Sequence, residues 1–488
     1  MKKVILSSML LSMVFTACVD ENDSYNEDHA ALYNPSASVL LTNAQKELTD
    51  QMTTPSVNLN VFRYFSQYWA ATQYTTESRY RVSTRKIPDN HWTNLYRNVL
   101  NNLETAKNVI AAESKPPGIS TEDWQTQQKN KLAIIEIQEV YTYQVLVDTF
   151  GDVPYTDAIQ PKTVVLPKYD DDATIYPKLI IRLNAALADL DVNGTSFEKG
   201  DYIYGGDVAS WKKFGNSLKV KIGINLADVD ASLAQSTVES AVADGVITSN
   251  DENAVFNYVS AAPNYNPIYE NLIASGRNDF VPAKTIVDAM NGLSDPRRAK
   301  YFTLFSDGTY KGGKYGFTNP YSNFSHVSDN IKAADAPAAL MEVTEINFYL
   351  AEAAERGYNV GNTAENFYNN GVKSSFESWG LSESDADAYL ANVDVAYTTA
   401  PGSWKEKIGK QAWIAYFNRG FESWSTWRRL DAPTLTAPTN AYSEAEGQVP
   451  KRLTYPINEQ TINGENYQAA STAIGGDKLK NKVFWDVN

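Results

Sequence analysis

The side chains that could do covalent or acid–base chemistry are few, and they are poorly spaced for it. The 488 residues hold one cysteine, Cys18, and three histidines, His29, His91 and His326. No HExxH or comparable spacing links the histidines, so the pattern that builds a zinc site is absent from the sequence. A single cysteine cannot close an internal disulfide. His91 follows Asp89 and Asn90 at the start of a helical pattern, where a solvated or capping imidazole is expected rather than a catalyst. The 58 acidic residues could include the carboxylate pair of a glycoside hydrolase, but no spacing singles a pair out. What the composition does supply is recognition chemistry: 30 tyrosines, 18 phenylalanines and 10 tryptophans. Tyrosine and tryptophan combine an apolar face with a polar tip.

The place of Cys18 accounts for it. Lys2 and Lys3 precede an apolar run from Val4 to Phe15, interrupted only by Ser7, Ser8 and Ser12, and Thr16-Ala17-Cys18 follows. A basic start, a short apolar centre and a small-residue exit describe a secretory leader, and the run is too short to remain as a membrane span. The stretch resembles the lipobox of bacterial lipoproteins, although Phe15 stands where Leu or Val is commoner. That resemblance implies an acylated Cys18 at the head of the mature chain, with residues 1–17 removed; the plainer alternative is a stray thiol in a discarded leader. Asp20, Glu21, Asp23, Glu27 and Asp28 make residues 18–35 an acidic segment too poor in apolar groups to fold, hence a flexible tether. An acidic stretch behind the lipid-bearing cysteine also resembles the surface-export signal of Bacteroidota lipoproteins, which implies an outer-membrane protein facing the medium.

The remainder, residues 36–488, reads as one globular domain. Hydrophobic residues are 43% and charged residues 21% of the chain, near the usual values for a soluble fold. The formal charge of −15 becomes two units more negative without Lys2 and Lys3, and such a surface repels phosphate backbones, so nucleic acid is excluded as a partner.

Helical periodicity runs through most of this domain. From Asp89 and Asn90, expected to cap the helix, Leu95, Val99, Leu103, Ala106 and Ile110 recur at helical spacing until Pro116-Pro117-Gly118. A second long helix is predicted from about Glu122 to Gly151, with an apolar face wide enough to be buried between neighbours. Further amphipathic stretches cover Ile175–Leu190, Asp207–Ala227 and Lys405–Arg429. "EINFYLAEAAERGY" and "AENFYNNGVKSSFESWG" place small residues opposite bulky ones, the pattern of an antiparallel hairpin of tetratricopeptide type. Between the helical hairpins, about 250–337, clusters of Gly, Pro, Asn and Ser carry dense aromatics and read as a loop-rich insertion and the recognition surface.

The lipobox and tether, "LVDTFGDVPYTDA", "PKYDDDATIYPKLIIRLNAALADLD", "WKKFGNSLKVKI", "TEINFYLAEAAERG", "FNRGFESWSTWRRLDAPTL" and "VPKRLTYPINE" together resemble the SusD/RagB family of nutrient-binding outer-membrane lipoproteins, in its SusD-like group. The resemblance implies a mostly α fold in which tetratricopeptide-like hairpins support an irregular, loop-rich ligand-binding part. It also implies a SusC-type TonB-dependent transporter as partner. Asp152, Pro154 and Tyr155 stand where a helix ends and the chain turns, and read as structural rather than as ligand contacts.

The expected ligand is an oligosaccharide, with a peptide as the alternative and a surface glycoside hydrolase or adhesin as more distant ones. A sugar's C–H face stacks on an aromatic ring while its hydroxyls need polar partners. The residues expected to provide these contacts are Trp69, Gln73, Tyr74 and Tyr80 in one segment and Tyr265, Tyr269, Arg277 and Asp279 in another. No cofactor, no metal and no catalytic residue is expected, and the membrane is reached through the lipid alone.

Overall fold

Several helix starts in this chain are set by short oxygen-bearing side chains that accept a backbone N–H three residues on. Ser120 accepts from Asp123 at 3.0 Å, Asp171 from Thr174 at 3.1 Å and Asp207 from Ser210 at 3.1 Å. The computed structural model describes residues 34–160 and 162–488. Cys18, His29, the leader and nearly all of the tether lie outside the described residues.

The first half is a succession of helices. α1 spans Ala37–Thr53; α2, Ile87–Thr93, continues through a π-helical segment, Asn94–Leu100, into α3, Asn101–Ala112. α4 is Thr121–Phe150, α5 Asp172–Asp189, α6 Val208–Asn225 and α7 Ala231–Asp244. The long helix predicted from Glu122 to Gly151 is α4, and it ends where Gly151 takes φ 78°. Asp89 and Asn90 do not cap the helix expected to begin there. It begins at Ile87, after Lys86 in the left-handed region and with Pro88 in the first turn. The Asp89 carboxylate instead accepts the N–H groups of Ile457 and Asn458, both at 3.1 Å, and so caps a helix remote in sequence.

α4 is buried almost all round in its second half. There Asp148 gathers five neighbours: Gln144 from its own helix, Tyr176 from α5, Asn225 from α6, Ser425 and the indole N–H of Trp485. A carboxylate with this many donors is satisfied inside the core and ties four chain segments to one point. Beyond Gly151, Asp152 accepts the Asp172 N–H at 3.0 Å and the Pro154 carbonyl accepts the Tyr96 hydroxyl at 2.5 Å. These residues turn the chain from α4 into α5.

Residues 250–337 are mostly irregular but contain α8, Lys284–Gly292, whose Ile286, Val287 and Met290 are buried. A helix of nine residues is too short for its periodicity to stand out among the flanking turns. Two small antiparallel ribbons fix this part. β1 (Trp69–Ala71) pairs with β3 (Phe280–Pro282), and β2 (Ala254–Phe256) with β4 (Ala338–Met341).

α9, Val343–Glu355, and α10, Ala364–Ser378, form the predicted hairpin. Gly371 lies so close to Phe348 that a Cβ there would stand 3.0 Å from the ring, the small-against-bulky contact read from the sequence. α11 is Glu383–Leu390. The amphipathic stretch Lys405–Arg429 is two helices rather than one, α12 (Trp404–Ala415) and α13 (Gly420–Leu430). The break lies where the chain meets the short helical turn Phe62–Phe65: a Cβ on Gly420 would stand 2.5 Å from the Arg63 backbone nitrogen, so only glycine fits. α14, Ile457–Ile462, and α15, Gly464–Ala473, follow. The fold is mostly helical, as expected, and Ala37–Asn488 form one compact unit.

Candidate ligand-binding site

Glu47, Asp50 and Gln51 fall at helical spacing and, with Thr54 just past the helix end, form one polar stripe along the last turns of α1. The stripe is one wall of an open cleft of about 610 Å³. Asn90 and Thr93 of α2 with Asn94 and Asn98 of the π-helical segment make the second wall. Pro267, Glu270, Asn271, Ser275 and Arg277 make the third.

Amide groups hold this arrangement. Asn94 Nδ2 donates to Gln51 Oε1 at 3.1 Å and to the Glu47 carbonyl at 3.2 Å; Asn98 Nδ2 donates to Asn94 Oδ1 at 2.7 Å. Gln51 Nε2 reaches the Leu59 carbonyl and Nδ1 of His91, at 2.8 and 2.7 Å. His91 is therefore neither solvated nor a cap. It is fully buried against Phe62 and Phe150, and burial pushes its pKa down to about 3, so a neutral ring holds Gln51 in place.

The two segments expected to carry the ligand come together through the β1–β3 ribbon. Thr72 N–H donates to the Asp279 carbonyl at 2.9 Å and its hydroxyl to the Asn278 carbonyl at 2.6 Å. Gln73 and Tyr74 follow on an exposed loop, with Tyr74 59% exposed. Arg85 lies 6.0 Å from the Tyr74 ring centroid and donates to Asn58 Oδ1 at 3.3 Å, and the Asn58 carbonyl accepts from the cleft-lining Asn90 at 2.9 Å. On the other segment Arg277 lines the cleft and pairs with Asp279 at 2.7 Å. The Tyr265 and Tyr269 rings lie 4.9 Å apart, and Tyr269 sits in the chain between the cleft-lining Pro267 and Glu270.

Trp69 and Tyr80 are corrected from contact residues to supports. Trp69 is 2% exposed, with Phe280 at 5.0 Å on its ring and the Arg63 guanidinium 5.0 Å from its centroid. Tyr80 is 0% exposed between Phe65 and Tyr315, and burial pushes its phenol up to about 12. A ring whose faces are covered by protein has none left for a sugar.

A family model described as "Starch-binding associating with outer membrane", SusD-like_2, matches residues 29–456. The chain belongs to this SusD-like family. No curated protein sequence matches it. Among solved structures, a chitin-binding protein superposes with TM-score 0.80 at 28% identity, covering 93% of this chain and all of its own. A SusD homologue from Bacteroides uniformis gives 0.77 at 28%, over 92% of this chain and 99% of its own. A chitin-binding SusD homologue from Flavobacterium johnsoniae gives 0.75 at 25%, over 93% and 97%.

For this SusD-like protein the residues missed from sequence are the cleft amides and the α1 stripe: Glu47, Asp50, Gln51, Asn94, Asn98 and Asn271. The one signal available was a polar stripe on an otherwise amphipathic helix, which is the ordinary look of a solvated face. Among the described residues no group of three or more His, Cys, Asp or Glu could hold a metal ion, and no helix is long and apolar enough to cross a membrane.

Proposed function

We propose that the protein captures an oligosaccharide in the cleft between α1, α2 and residues 267–277 and hands it to a SusC-type TonB-dependent transporter. The observation that carries this reading is the cleft wall itself: side-chain amides, carboxylates and one guanidinium converge on it, a set of donors and acceptors matched to hydroxyl groups. Tyr74, Tyr265 and Tyr269 supply stacking faces at its edge, and Gln73, Arg277 and Asp279 supply polar contacts. Family membership supports the ligand class, and the chitin-binding descriptions of two structural relatives point the same way. In this reading residues 1–17 are a leader, acylated Cys18 anchors the chain to the outer membrane, residues 18–35 tether it on the outer face, and residues 36–488 are one binding domain without catalytic residues.

The test is a calorimetric panel of glycans and peptides offered to the protein and to Arg277→Ala. Saturable glycan binding weakened in the variant is expected. Binding of peptides alone would replace the oligosaccharide, and glycan binding indifferent to Arg277 would remove the cleft from the reading. Changing Cys18 to Ser should release the protein from membranes.

A further inference from the structure

Gln51 and Thr54 face the cleft, but the two residues between them, Met52 and Thr53, line a second cavity of about 360 Å³. Its other walls come from the loop before β4, from the end of α10 and from the break between α12 and α13. The volume is in the range of small-molecule sites.

We propose that this cavity is a second carbohydrate site, one that takes a single neutral sugar ring. It shares its ligand class with the reading of the cleft but is built from separate residues. Trp379, at the end of α10, lines it and is held by an edge contact to Tyr301, centroids 4.7 Å apart at 68°. Arg419 lines it as well. Its side chain is only 10% exposed, and its Nη atoms are taken by Glu342 at 3.2 Å, the Leu340 carbonyl at 3.0 Å and Glu345 at 2.8 Å. Its Nε–H is buried and has no hydrogen-bond partner. Of its Nη atoms, Nη1 makes a single bond, to Glu342, and keeps a second N–H for a ligand oxygen.

The charges of the wall decide what kind of oxygen. Glu342, Glu345 and Glu422 are met by Arg419 and Lys221, with Lys221 3.2 Å from Glu422. Arg63, which feels the Glu422 charge, brings the cations to the same number. Only Glu342, Glu422 and Arg419 line the cavity itself; Glu345, Lys221 and Arg63 stand outside the lining, and the six together balance, so the site offers no net attraction to a charged ligand. Arg419 and Glu342 set a donor beside an acceptor, which a carboxylate ligand, acceptor only, or an ammonium, donor only, would satisfy by half. A hydroxyl satisfies both. Asn418, whose Oδ1 is taken by Arg63, and Asn330 add amide groups to the same wall, so polar partners surround a ring stacked on Trp379.

The full chain titrated with glucose and with N-acetylglucosamine tests the proposal. Saturable binding of one of them at one site per chain is expected, weakened about tenfold by Trp379→Ala and by Asn330→Ala. Asn330 lies on an exposed loop, so its variant guards against a folding artefact at Trp379. Monosaccharide binding weakened by Arg277→Ala and not by the cavity variants would place the sugar in the cleft and overturn the second site. No saturable uptake of either sugar, or binding indifferent to both cavity variants, would overturn the second site. Loss of the cleft reading would show separately, as oligosaccharide binding unaffected by Arg277→Ala.

Discussion

Arg63 and Asn418, 355 residues apart in sequence, are joined twice: Arg63 Nη2 donates to the Asn418 carbonyl at 2.9 Å and to its Oδ1 at 3.1 Å. The same guanidinium donates to the carbonyls of Thr53 at 2.8 Å and Thr54 at 3.1 Å, closing the C-terminal end of α1 where cleft and cavity diverge. Arg63→Ala leaves these buried acceptors unpaired and should cost about 3 kcal/mol in urea unfolding. Arg63→Lys should recover little, because an ammonium lacks the planar fork. A wild-type unfolding midpoint for Arg63→Ala would show that the four bonds do not hold this junction.

Tyr74 and Tyr80 lie in one segment but should respond oppositely to the same change. Tyr74→Ala, at a ring 59% exposed, should leave the unfolding midpoint near wild type and weaken glycan binding about tenfold. Tyr80→Ala empties a fully buried ring position and should cost roughly 3–5 kcal/mol of stability. Equal thermal shifts for the two variants would contradict this division.

His91 makes the fold sensitive to acid. Its folded pKa, about 3, lies below the value near 6.5 of a free imidazole. As pH falls from about 6.5, the unfolded chain takes up a proton that the folded chain refuses until about pH 3, so stability declines across that window. His91→Phe should flatten the decline relative to wild type in thermal melts recorded from pH 7 to pH 4. Parallel curves for the two proteins would count against a buried neutral ring.

Asp172 acts with the opposite sign over much of the same range. Burial, with the nearby Asp152 and Asp171 charges adding to it, pushes its carboxyl up to about 7, although the Phe484 N–H donates to it at 3.0 Å. Between the unfolded value near 3.9 and about 7 the folded chain holds a proton that the unfolded chain has lost. Its contribution is therefore full at low pH and is lost as pH rises through about 7. Asp172→Asn keeps an acceptor for Phe484 and should remove this loss, seen as a smaller drop in melting temperature between pH 5 and pH 8. An unchanged drop would mean that Asp172 is ionised throughout.

The helices were legible because their determinants are local. The Ser120 cap and the glycine stop at Gly151 depend on side chains a few residues apart, and the two faces that set Gly371 against Phe348 each follow one repeating spacing. Where a distant segment intervenes, that legibility ends. Asp89 has the sequence context of a cap for its own helix, yet its carboxylate serves α14; Lys405–Arg429 reads as one helix, yet contact with Phe62–Phe65 divides it.

The sequence by itself determined a mostly helical chain with an aromatic-rich irregular part, because hydrogen-bond spacing and apolar periodicity are properties of neighbours along the backbone. Which tyrosine is a surface and which is core was decided only in three dimensions: Tyr74 and Tyr80 are the same residue type, six positions apart, and Phe65 and Tyr315 cover one of them. The cleft belongs to the same class of fact. Gln51, Asn94 and Arg277 reach it from three separate segments, and long-range packing, which leaves no periodic trace in sequence, sets them side by side.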